Sequence, residues 1–282
     1  MFPSASLLAL SATCPKNIKK KVLNALNMDS STVFLSVSPN KPNIKLCVQK
    51  IENSIEFSML WLVETLTRLQ ISFPRTIIYM NSIKQQSDLY KYLISESENC
   101  TELIEMYHSE TPDKQKKAII SRLQDPNSSL RLIIATSALG MGIDIASCNN
   151  VILYGPPKSF IELIHEVGRI GRDGTDSIAL LMFNSYHLRN CDDSLKQLYT
   201  GKSCRRLKLM EQFVTKAELN TIMTGTHICC DVCEALCSCG NCERLSLQTY
   251  LTISSESSSS DTELYVYESD TPVLDEVWDE FV

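Results

Sequence analysis

Two arginines, each preceded by a glycine, are the side chains of this sequence best suited to bind phosphate. Arg169 and Arg172 lie at the end of a segment of helical period, H-E-V-G-R-I-G-R-D-G. Residues three apart lie on one face of a helix or of its terminal turn. A guanidinium group is planar, always charged and forked, so it fits phosphate oxygens better than the ammonium of a lysine does. The spacing therefore predicts a phosphate-binding pair.

An apolar run earlier in the chain leads into residues that suit the same chemistry. Leu132–Ala135 predicts a buried strand. Small, hydroxylated and acidic residues follow it: Thr136, Ser137, Gly140, Gly142 and Asp144. Backbone N–H groups at the carboxyl end of such a strand bind phosphates, and glycine lets the backbone approach them closely. The two segments together predict a phosphate site made by two loops at one end of a parallel sheet.

Alternating strands and helices are predicted to position these loops. The predicted strands are 76–80, 103–107, 132–135, 151–154 and 178–183, and the predicted helices are 82–97, 112–123 and 159–167. Ser82 and Thr111 are expected to cap the first two helices, with Pro112 in the first turn of the second. Regular alternation predicts an α/β fold in which helices cover both faces of a parallel sheet. Near the start of the chain, residues 7–10 predict a further strand, followed by a lysine-rich helix.

Composition indicates a folded body and an acidic tail. The chain has 282 residues, of which 44% are hydrophobic, which allows one or two domains with a real core. Nine of the residues from 253 to 282 are acidic and none is Lys or Arg, so this segment carries a charge of −9. The net charge of the whole chain is −6, so the rest of the chain carries +3. The Ser-rich, acidic tail is expected to be disordered. Since we find no secretory signal and no apolar run of membrane-spanning length, we expect an intracellular protein.

The two phosphate-binding patterns together resemble a known family. A-T-S-A-L-G-M-G-I-D followed by H-E-V-G-R-I-G-R-D-G is similar in length and order to motifs V and VI of the RecQ-like DNA helicases. S-A-T at 11–13 resembles their motif III, and N-K-P-N at 40–43 stands where the family usually has Arg-Pro-Asn. The resemblance covers residues 7–242 and implies a RecA-like motor lobe. The alternative is an ordinary α/β domain whose glycines only form turns.

The resemblance implies roles for the arginine segment. In the family, the arginines that match Arg169 and Arg172 reach the phosphates of ATP, which the first lobe holds with Mg²⁺, and Arg172 matches the arginine finger. Glu166 is assigned to the same catalytic group. The residues assigned to the nucleotide are Gly140, Gly142, Asp144, His165 and Gly168. The family usually has Gln where His165 stands, so His165 either retunes this loop or is simply an exposed helical histidine. Asp144 contacts the ribose, anchors the loop or only caps a turn.

Polar residues at predicted strand ends are implied to line the path of a nucleic acid. They are Asn81, Ser82, His108, Thr136 and Ser137. Asn81 and Ser82 match motif IV, and His108 matches a Tyr-His step of the family. A threonine hydroxyl suits a nucleic-acid phosphate, a contact that positions a strand without reading its sequence. The expected partner is single-stranded or forked DNA, although His108 also fits a histidine that merely ends a strand.

Crowded cysteines follow the predicted lobe. Of the twelve cysteines, seven lie between Cys204 and Cys242, and without a secretory signal this crowding indicates metal ligands before disulfides. The segment resembles the zinc module that follows the second motor lobe in RecQ-like proteins, which implies a closed tetrahedral site for structural Zn²⁺.

The resemblance and the spacing select the zinc ligands. The predicted set is Cys204, Cys230 and Cys233, with either His227 or Cys229 as the fourth. His227 is preferred, because the side chains of adjacent residues such as Cys229 and Cys230 are expected to diverge. Three further cysteines lie outside the family's usual four: Cys237, Cys239 and Cys242. They supply a ligand, bind a second ion incompletely or remain free thiols, and the sequence leaves these alternatives open.

The sequence contains neither a G-x-x-x-x-G-K-[ST] phosphate loop nor an Asp-Glu-x-His box. The implied domains are 1–45, a remnant of the first lobe with a connector, 46–200, the second lobe, 201–245, the zinc module, and 246–282, the tail. The chain is either a fragment of a longer gene product or a genuine remnant of a motor protein. In both cases it is expected to lack helicase activity by itself. The intact enzyme is expected to be an ATP-dependent 3′–5′ DNA helicase of recombination and repair in the nucleus.

Two other classes of function remain open for this chain. One is a non-catalytic DNA- or protein-binding protein made from the same lobe. The other is a zinc-stabilised interaction module with an acidic tail and no nucleic acid.

Overall fold

A six-stranded parallel sheet forms the centre of the molecule. The computed structural model describes residues 7–28, 31–139, 143, 145–242, 245 and 247–249. The strands are β1 (Ile44–Lys50), β2 (Thr76–Met80), β3 (Ile104–Tyr107), β4 (Leu132–Ala135), β5 (Asn150–Tyr154) and β6 (Ser177–Phe183). Their order across the sheet is β1-β6-β5-β2-β4-β3, and every neighbouring pair is parallel. The predicted RecA-like α/β sheet is confirmed.

Helices connect the strands and continue beyond the sheet. They are α1 (Lys16–Ala25), α2 (Ile55–Leu69), α3 (Ile83–Glu96), α4 (Asp113–Gln124), α5 (Phe160–Val167), α6 (Asp193–Thr200), α7 (Arg205–Met210), α8 (Lys216–Thr221) and α9 (Asp231–Ala235). Short 3₁₀ helices occur at Gln70–Ser72 and Glu98–Leu103. No helix of the described ranges is both long and apolar enough to span a membrane.

Both faces of the sheet carry a hydrophobic core. Every residue of β2 is buried, as expected for a central parallel strand with helices on both sides. Successive side chains of a strand point to opposite faces. Ile77 accordingly packs with Leu163 of α5, whereas Ile78 packs in a second core with Leu62 of α2 and Leu89 of α3. The predicted covering of both faces is therefore confirmed.

Serine side chains cap two of the predicted helices, but the prediction that Thr111 caps a third is wrong. Ser82 accepts a hydrogen bond from Gln85 N at the start of α3, and Ser159 likewise caps α5. Helix α4 begins one residue later than predicted, after Pro112 and without a side-chain cap. The hydroxyl of Thr111 instead accepts a hydrogen bond from the backbone N–H of His108 (3.0 Å).

The strand predicted at residues 7–10 is wrong. These residues have no regular structure, and Leu8 and Leu10 are 77% and 85% exposed. An apolar run becomes a strand only where a neighbouring strand accepts its backbone hydrogen bonds, and no described strand pairs with this one. The lysine-rich helix that follows it is confirmed as α1.

The C-terminal helices pack directly on the edge strand β1. The backbone N–H of Leu46 donates to Cys229 O (3.3 Å), and Leu46 also pairs with Cys230 in an isolated parallel bridge. Lys45, which is 1% exposed, forms an ion pair with Glu234 of α9 at 3.1 Å. The cysteine-rich helices and the sheet therefore share one core. Most of the predicted acidic tail, including 250–282, lies outside the described residues.

Candidate functional site

A tight turn after α5 carries both arginines. The turn, 168–172, lies beside the amino ends of β1 and β5, because Gly171 N donates to Cys148 O (3.2 Å) and the amide of Asn43 donates to Gly171 O (2.9 Å). Gly171 has φ +55°, and a Cβ there would lie 2.6 Å from Nδ2 of Asn43. Glycine is required here for both reasons.

The two arginines of the turn have different surroundings. Arg169 is 6% exposed, donates to the carbonyl of Ile143 (3.1 Å) and hydrogen-bonds the hydroxyl of Tyr79. It thereby ties the turn to the loop that follows β4. Arg172 is exposed, with its Nε 3.4 Å from the carbonyl oxygen of Gly168. Arg172 is therefore the member of the pair that is accessible to a ligand.

A cleft of about 330 Å³ opens beside this turn. Its cationic lining residues are Lys41, Arg169, Arg172 and Arg206, and no Asp or Glu is among the described residues that line it. Lys41 also donates to the carbonyls of Gly168 and Ile170. Burial, and then the charge of Arg172, lower the pKa of Lys41. A cleft whose charged residues, as far as they are described, are all cationic attracts anions.

His165 links this cleft to the segment near the start of the chain. Its Nε2 lies 2.8 Å from the hydroxyl oxygen of Thr13, and both residues line the cleft together with Gly168. Burial lowers the pKa of His165, and the positive charge of Arg169 lowers it further. His165 is therefore neutral at pH 7 and hydrogen-bonded, unlike the exposed histidine that was the alternative prediction.

Glu166 lies in the core and not in the cleft. It is 8% exposed, and burial raises its pKa to about 8, with a further contribution from the charge of Glu162. Tyr79 and Tyr199 are its neighbours, since the charge of Glu166 adds to the burial that raises the pKa of both phenols. The assignment of Glu166 to the catalytic group is not supported, because a buried, protonated carboxyl here cannot contact a ligand in the cleft.

The nucleic-acid candidates lie at the other end of the sheet. Asn81, His108 and Thr136 each follow the last residue of a parallel strand, so they share its carboxyl edge. The two predicted loops do meet, because Arg169 contacts Ile143 of the loop after β4, but the arginine turn does not lie at the carboxyl end where Thr136 does. The physical reason is that α5 runs back across the sheet, which brings the arginine turn to the amino ends of the strands.

Local contacts hold these carboxyl-edge residues. The amide of Asn81 donates to Pro156 O (3.0 Å), and Ser82 caps α3. Nδ1 of His108 accepts from the backbone N–H of Glu110 (3.2 Å). The hydroxyl of Thr136 accepts from Ala138 N (3.4 Å), while Ser137 is exposed. Gly140, Gly142 and Asp144, which were assigned to the nucleotide, lie outside the described residues.

Four thiols converge where α7 and α9 meet β1. They belong to Cys204, Cys229, Cys230 and Cys233, and their Sγ atoms all lie within 4.8 Å of one another. The Sγ of Cys204 is 3.6 Å from that of Cys229 and 3.9 Å from that of Cys230. This is the predicted site with Cys229 as its fourth member.

The preference for His227 as the fourth ligand is wrong. Cys229 and Cys230 both face Cys204, because the chain turns at Thr226–Cys229 and Cys230 is the extended cap residue of α9. Adjacent side chains diverge where the chain is extended through both residues, but Cys229 closes a turn and only Cys230 is extended. His227 lies instead in a second cluster, with Cys237, Cys239 and Cys242.

Sequence reasoning missed three residues that build the site. Lys41 and Asn43 brace the arginine turn, and the N-K-P-N segment was the signal that pointed to them. Arg206, which is 4% exposed, donates to the carbonyls of Lys41 and Ile44 and to that of Cys229. It joins the cleft to the thiol cluster, a role that no local pattern indicates.

Comparison with known proteins identifies the fold and its relatives. The family model described as helicase conserved C-terminal domain matches residues 59–174. A solved structure of S. cerevisiae Dbp5, bound to RNA and ADP BeF3, superposes with a TM-score of 0.52 at 20% identity, covering 68% of this chain and 48% of that one. This likeness concerns the fold alone.

Curated relatives include DNA and RNA helicases. The bifunctional 3'-5' exonuclease/ATP-dependent helicase WRN of Mus musculus is 28% identical over 258 residues, 82% of this chain and 18% of the relative. The ATP-dependent DNA helicase RecQ of Pasteurella multocida is 27% identical over 185 residues, 64% of this chain and 27% of that protein. The ATP-dependent RNA helicase dbp6 of Schizosaccharomyces pombe is 31% identical over 117 residues, which are 42% of this chain and 19% of that protein.

The chain spans less than half the length of each of these three relatives. Residues 59–174 nevertheless match the helicase conserved C-terminal domain, and the predicted resemblance to RecQ-like ATP-dependent DNA helicases is confirmed.

Proposed function

We propose that this chain is the second motor lobe, with its zinc module, of an ATP-dependent DNA helicase that moves 3′ to 5′. The observation that carries the proposal is the position of Arg172. Its side chain is exposed at a cleft whose described charged residues are cations, on a turn that lies inside the segment matched by the helicase domain. An exposed guanidinium held by a rigid turn is suited to the phosphates of a nucleotide that another lobe binds.

In this proposal the two arginines have different roles, one structural and one in contact with the nucleotide. Arg169 fixes the turn from inside through the carbonyl of Ile143, and Arg172 contacts the transferred phosphoryl group. Such a contact can contribute about 10³–10⁵ in rate. The sequence contains neither the phosphate loop nor the acidic box that hold ATP and Mg²⁺. We therefore expect no DNA-stimulated ATP turnover from this polypeptide by itself.

The carboxyl edge of the sheet is the proposed path of the DNA. Asn81 and Ser137 are exposed there, beside the hydroxyl of Thr136 and the imidazole of His108. These groups donate to phosphates without reading sequence. The curated relatives include both DNA and RNA helicases, and DNA is favoured because the cysteine module resembles that of the RecQ-like DNA helicases.

The four-thiol cluster fits structural zinc. Four cysteine sulfurs within 4.8 Å of one another form the donor set of a closed tetrahedral site. Zinc bound there supplies no catalytic chemistry and cross-links the start of α7 at Cys204 to the segment from Cys229 to Cys233. Because Cys229 is hydrogen-bonded to both Leu46 and Arg206, the same cross-link fixes the edge of the sheet.

Inorganic triphosphate is a direct probe of the arginine cleft. We expect the chain to bind it weakly by titration calorimetry, and Arg172→Ala to weaken binding about tenfold, since one lost charge-assisted contact is worth about 1.5 kcal/mol or more. Lys117→Ala removes the same charge from the exposed face of α4 and serves as the control. Equal losses in both variants would indicate nonspecific attraction and contradict the assignment.

Binding of a fluorescent single-stranded DNA separates the remaining functions. A proposed DNA path predicts that the logarithm of the affinity falls linearly with the logarithm of salt concentration. Ser137→Glu should weaken binding, whereas Ser95→Glu, at an exposed position near the end of α3, should not. Tighter binding of the matching RNA would move the assignment to an RNA helicase lobe, and no binding to either would favour the protein-interaction module.

A further inference from the structure

A second group of metal-ligand side chains lies beside the four-thiol cluster. It consists of His227, Cys237, Cys239 and Cys242, whose ligand atoms all lie within 4.8 Å of one another. Nδ1 of His227 is 3.7 Å from Sγ of Cys237 and 3.3 Å from Sγ of Cys239. The Sγ atoms of Cys239 and Cys242 are 3.5 Å apart.

These distances match the edges of a small tetrahedron. With zinc–sulfur and zinc–nitrogen bonds of about 2.3 Å and 2.0 Å, a tetrahedral ion places two sulfurs about 3.8 Å apart and a sulfur and a nitrogen about 3.5 Å apart. The three distances in this group lie close to those values. A cluster of several iron ions would need its ligands spread further apart, so the group fits a single ion.

The backbone around the last three cysteines supports the same geometry. Gly240 has φ +71°, a conformation that glycine adopts easily, and it turns the chain between Cys239 and Cys242. The backbone N–H of Asn241 points at Sγ of Cys239 (3.4 Å). Such an N–H···S contact stabilises a negatively charged sulfur, which is the form that binds metals.

The two groups share no ligand, yet they interleave along the chain. His227 precedes the adjacent cysteines of the first group, and the other three members follow Cys233. Helix α9, which is five residues long and contains Cys233, therefore lies between His227 and Cys237 in sequence. Each group has the four ligands that a closed site needs, so the second does not depend on residues borrowed from the first.

We propose that His227, Cys237, Cys239 and Cys242 bind a second, structural zinc ion. Three thiolates and one imidazole select zinc over hard cations such as Mg²⁺ and Ca²⁺, which prefer oxygen ligands. With all four positions taken by protein atoms, the ion has no open position for water or substrate. It holds residues 227–242 as one folded unit, a segment whose short helix would not be stable alone.

Metal content per chain tests the proposal. The full chain, purified from medium supplied with zinc, should contain two zinc ions by elemental analysis. The double variant with Cys239→Ser and Cys242→Ser should retain one, and Cys14→Ser, which changes an exposed cysteine outside both groups, should retain two. A wild-type chain with one zinc, unchanged in the double variant, would overturn the second site.

X-ray absorption at the zinc edge of the wild-type chain does not depend on any variant folding. Two occupied sites give an average of about 3.5 sulfur and 0.5 nitrogen ligands per zinc, and the four-thiol site alone gives about four sulfurs. A single zinc with three sulfurs and one nitrogen would support the second site while contradicting the first. A chain with no bound zinc, or with four sulfurs only, would overturn the proposal.

Discussion

Arg169 and Arg172 share one turn and a preceding glycine, but burial gives their side chains different tasks. Arg169 is enclosed and hydrogen-bonded to Ile143 and Tyr79, whereas Arg172 is exposed at the cleft. Removing Arg169 leaves the partly buried carbonyl of Ile143 without that donor, which costs about 1–3 kcal/mol. Removing an exposed side chain usually changes stability by less than about 0.5 kcal/mol.

We therefore expect Arg169→Ala to lower the free energy of unfolding by about 2 kcal/mol or more and Arg172→Ala to leave it nearly unchanged. Urea unfolding of both variants, followed by circular dichroism, measures the difference. Similar losses in the two variants would show that Arg169 is not the clamp of the turn.

Glu166 makes the stability of the lobe depend on pH. Its pKa is raised from 4.5 to about 8 by burial and by Glu162. Between these values the folded protein holds a proton that the unfolded chain has lost, so stability falls as pH rises through this window. Glu166→Gln keeps the shape of the protonated acid and removes the titration. The variant should match the wild type near pH 5 and exceed it by a few kcal/mol at pH 8, since one pKa unit is ~1.4 kcal/mol.

Unfolding curves at several pH values measure this gain. Glu64→Gln, at an exposed position on α2, is the control and should show no such trend. A gain for Glu166→Gln that is equal at pH 5 and pH 8 would mean that Glu166 is ionised in the folded protein.

At the scale of elements, Ser82 has two separable roles. It caps α3 by accepting from Gln85 N, and it lies at the proposed DNA path. Ser82→Ala should cost about 1 kcal/mol of stability through loss of the cap. Ser82→Asp restores the cap but adds a negative charge, so it should keep stability and weaken DNA binding. Thermal unfolding and DNA titration of both variants test this, and normal DNA affinity in Ser82→Asp would place the DNA elsewhere.

The strands that could be predicted from sequence were those whose own residues form an apolar run, so that no knowledge of the neighbouring strands was needed. β2 and β6 are continuous apolar runs because both of their faces are covered. β1 was missed because it is an edge strand whose last residues are polar and only partly buried. α2 was also missed, although the Ser54 cap and the spacing of Met59, Leu62 and Leu66 indicate a helix.

The site shows the same limit of local reasoning. The types and spacing of Arg169 and Arg172 pointed to the cleft. Their different roles could not be predicted, because Arg169 is buried through its contacts with Ile143 and Tyr79 whereas Arg172 is exposed. Three members of the four-thiol cluster were predicted, and His227 was preferred to Cys229 as the fourth because the turn at Thr226–Cys229, which redirects the Cys229 side chain, has no signal in the sequence. Local pattern gives the chemistry, while packing decides which atoms face each other.

At the scale of the whole molecule, Arg206 joins lobe, cleft and cysteine module. Its guanidinium donates to Asn40, Lys41, Ile44 and Cys229 from a buried position. Replacing it removes these four hydrogen bonds from a charged group, and such a bond contributes about 1.5–3 kcal/mol. The module and the sheet should lose stability together, because Arg206 contacts both.

We expect Arg206→Leu to lower the unfolding midpoint strongly and to speed removal of zinc by a chelator. Arg189→Leu, at an exposed position beside Tyr186, is the matched control and should change neither. Loss of stability with an unchanged rate of zinc removal would show that the module holds its metal independently of the lobe.

Strand β1 ends the sheet, and on its outer side the backbone of Leu46 pairs with the cysteine segment at Cys229 and Cys230. If metal loss released that segment, unpaired N–H and C=O groups would face solvent along a largely apolar strand. Exposed edges of this kind recruit strands from other copies. If the four-thiol cluster holds zinc as proposed, zinc starvation should therefore make the protein aggregate while its central sheet is still intact.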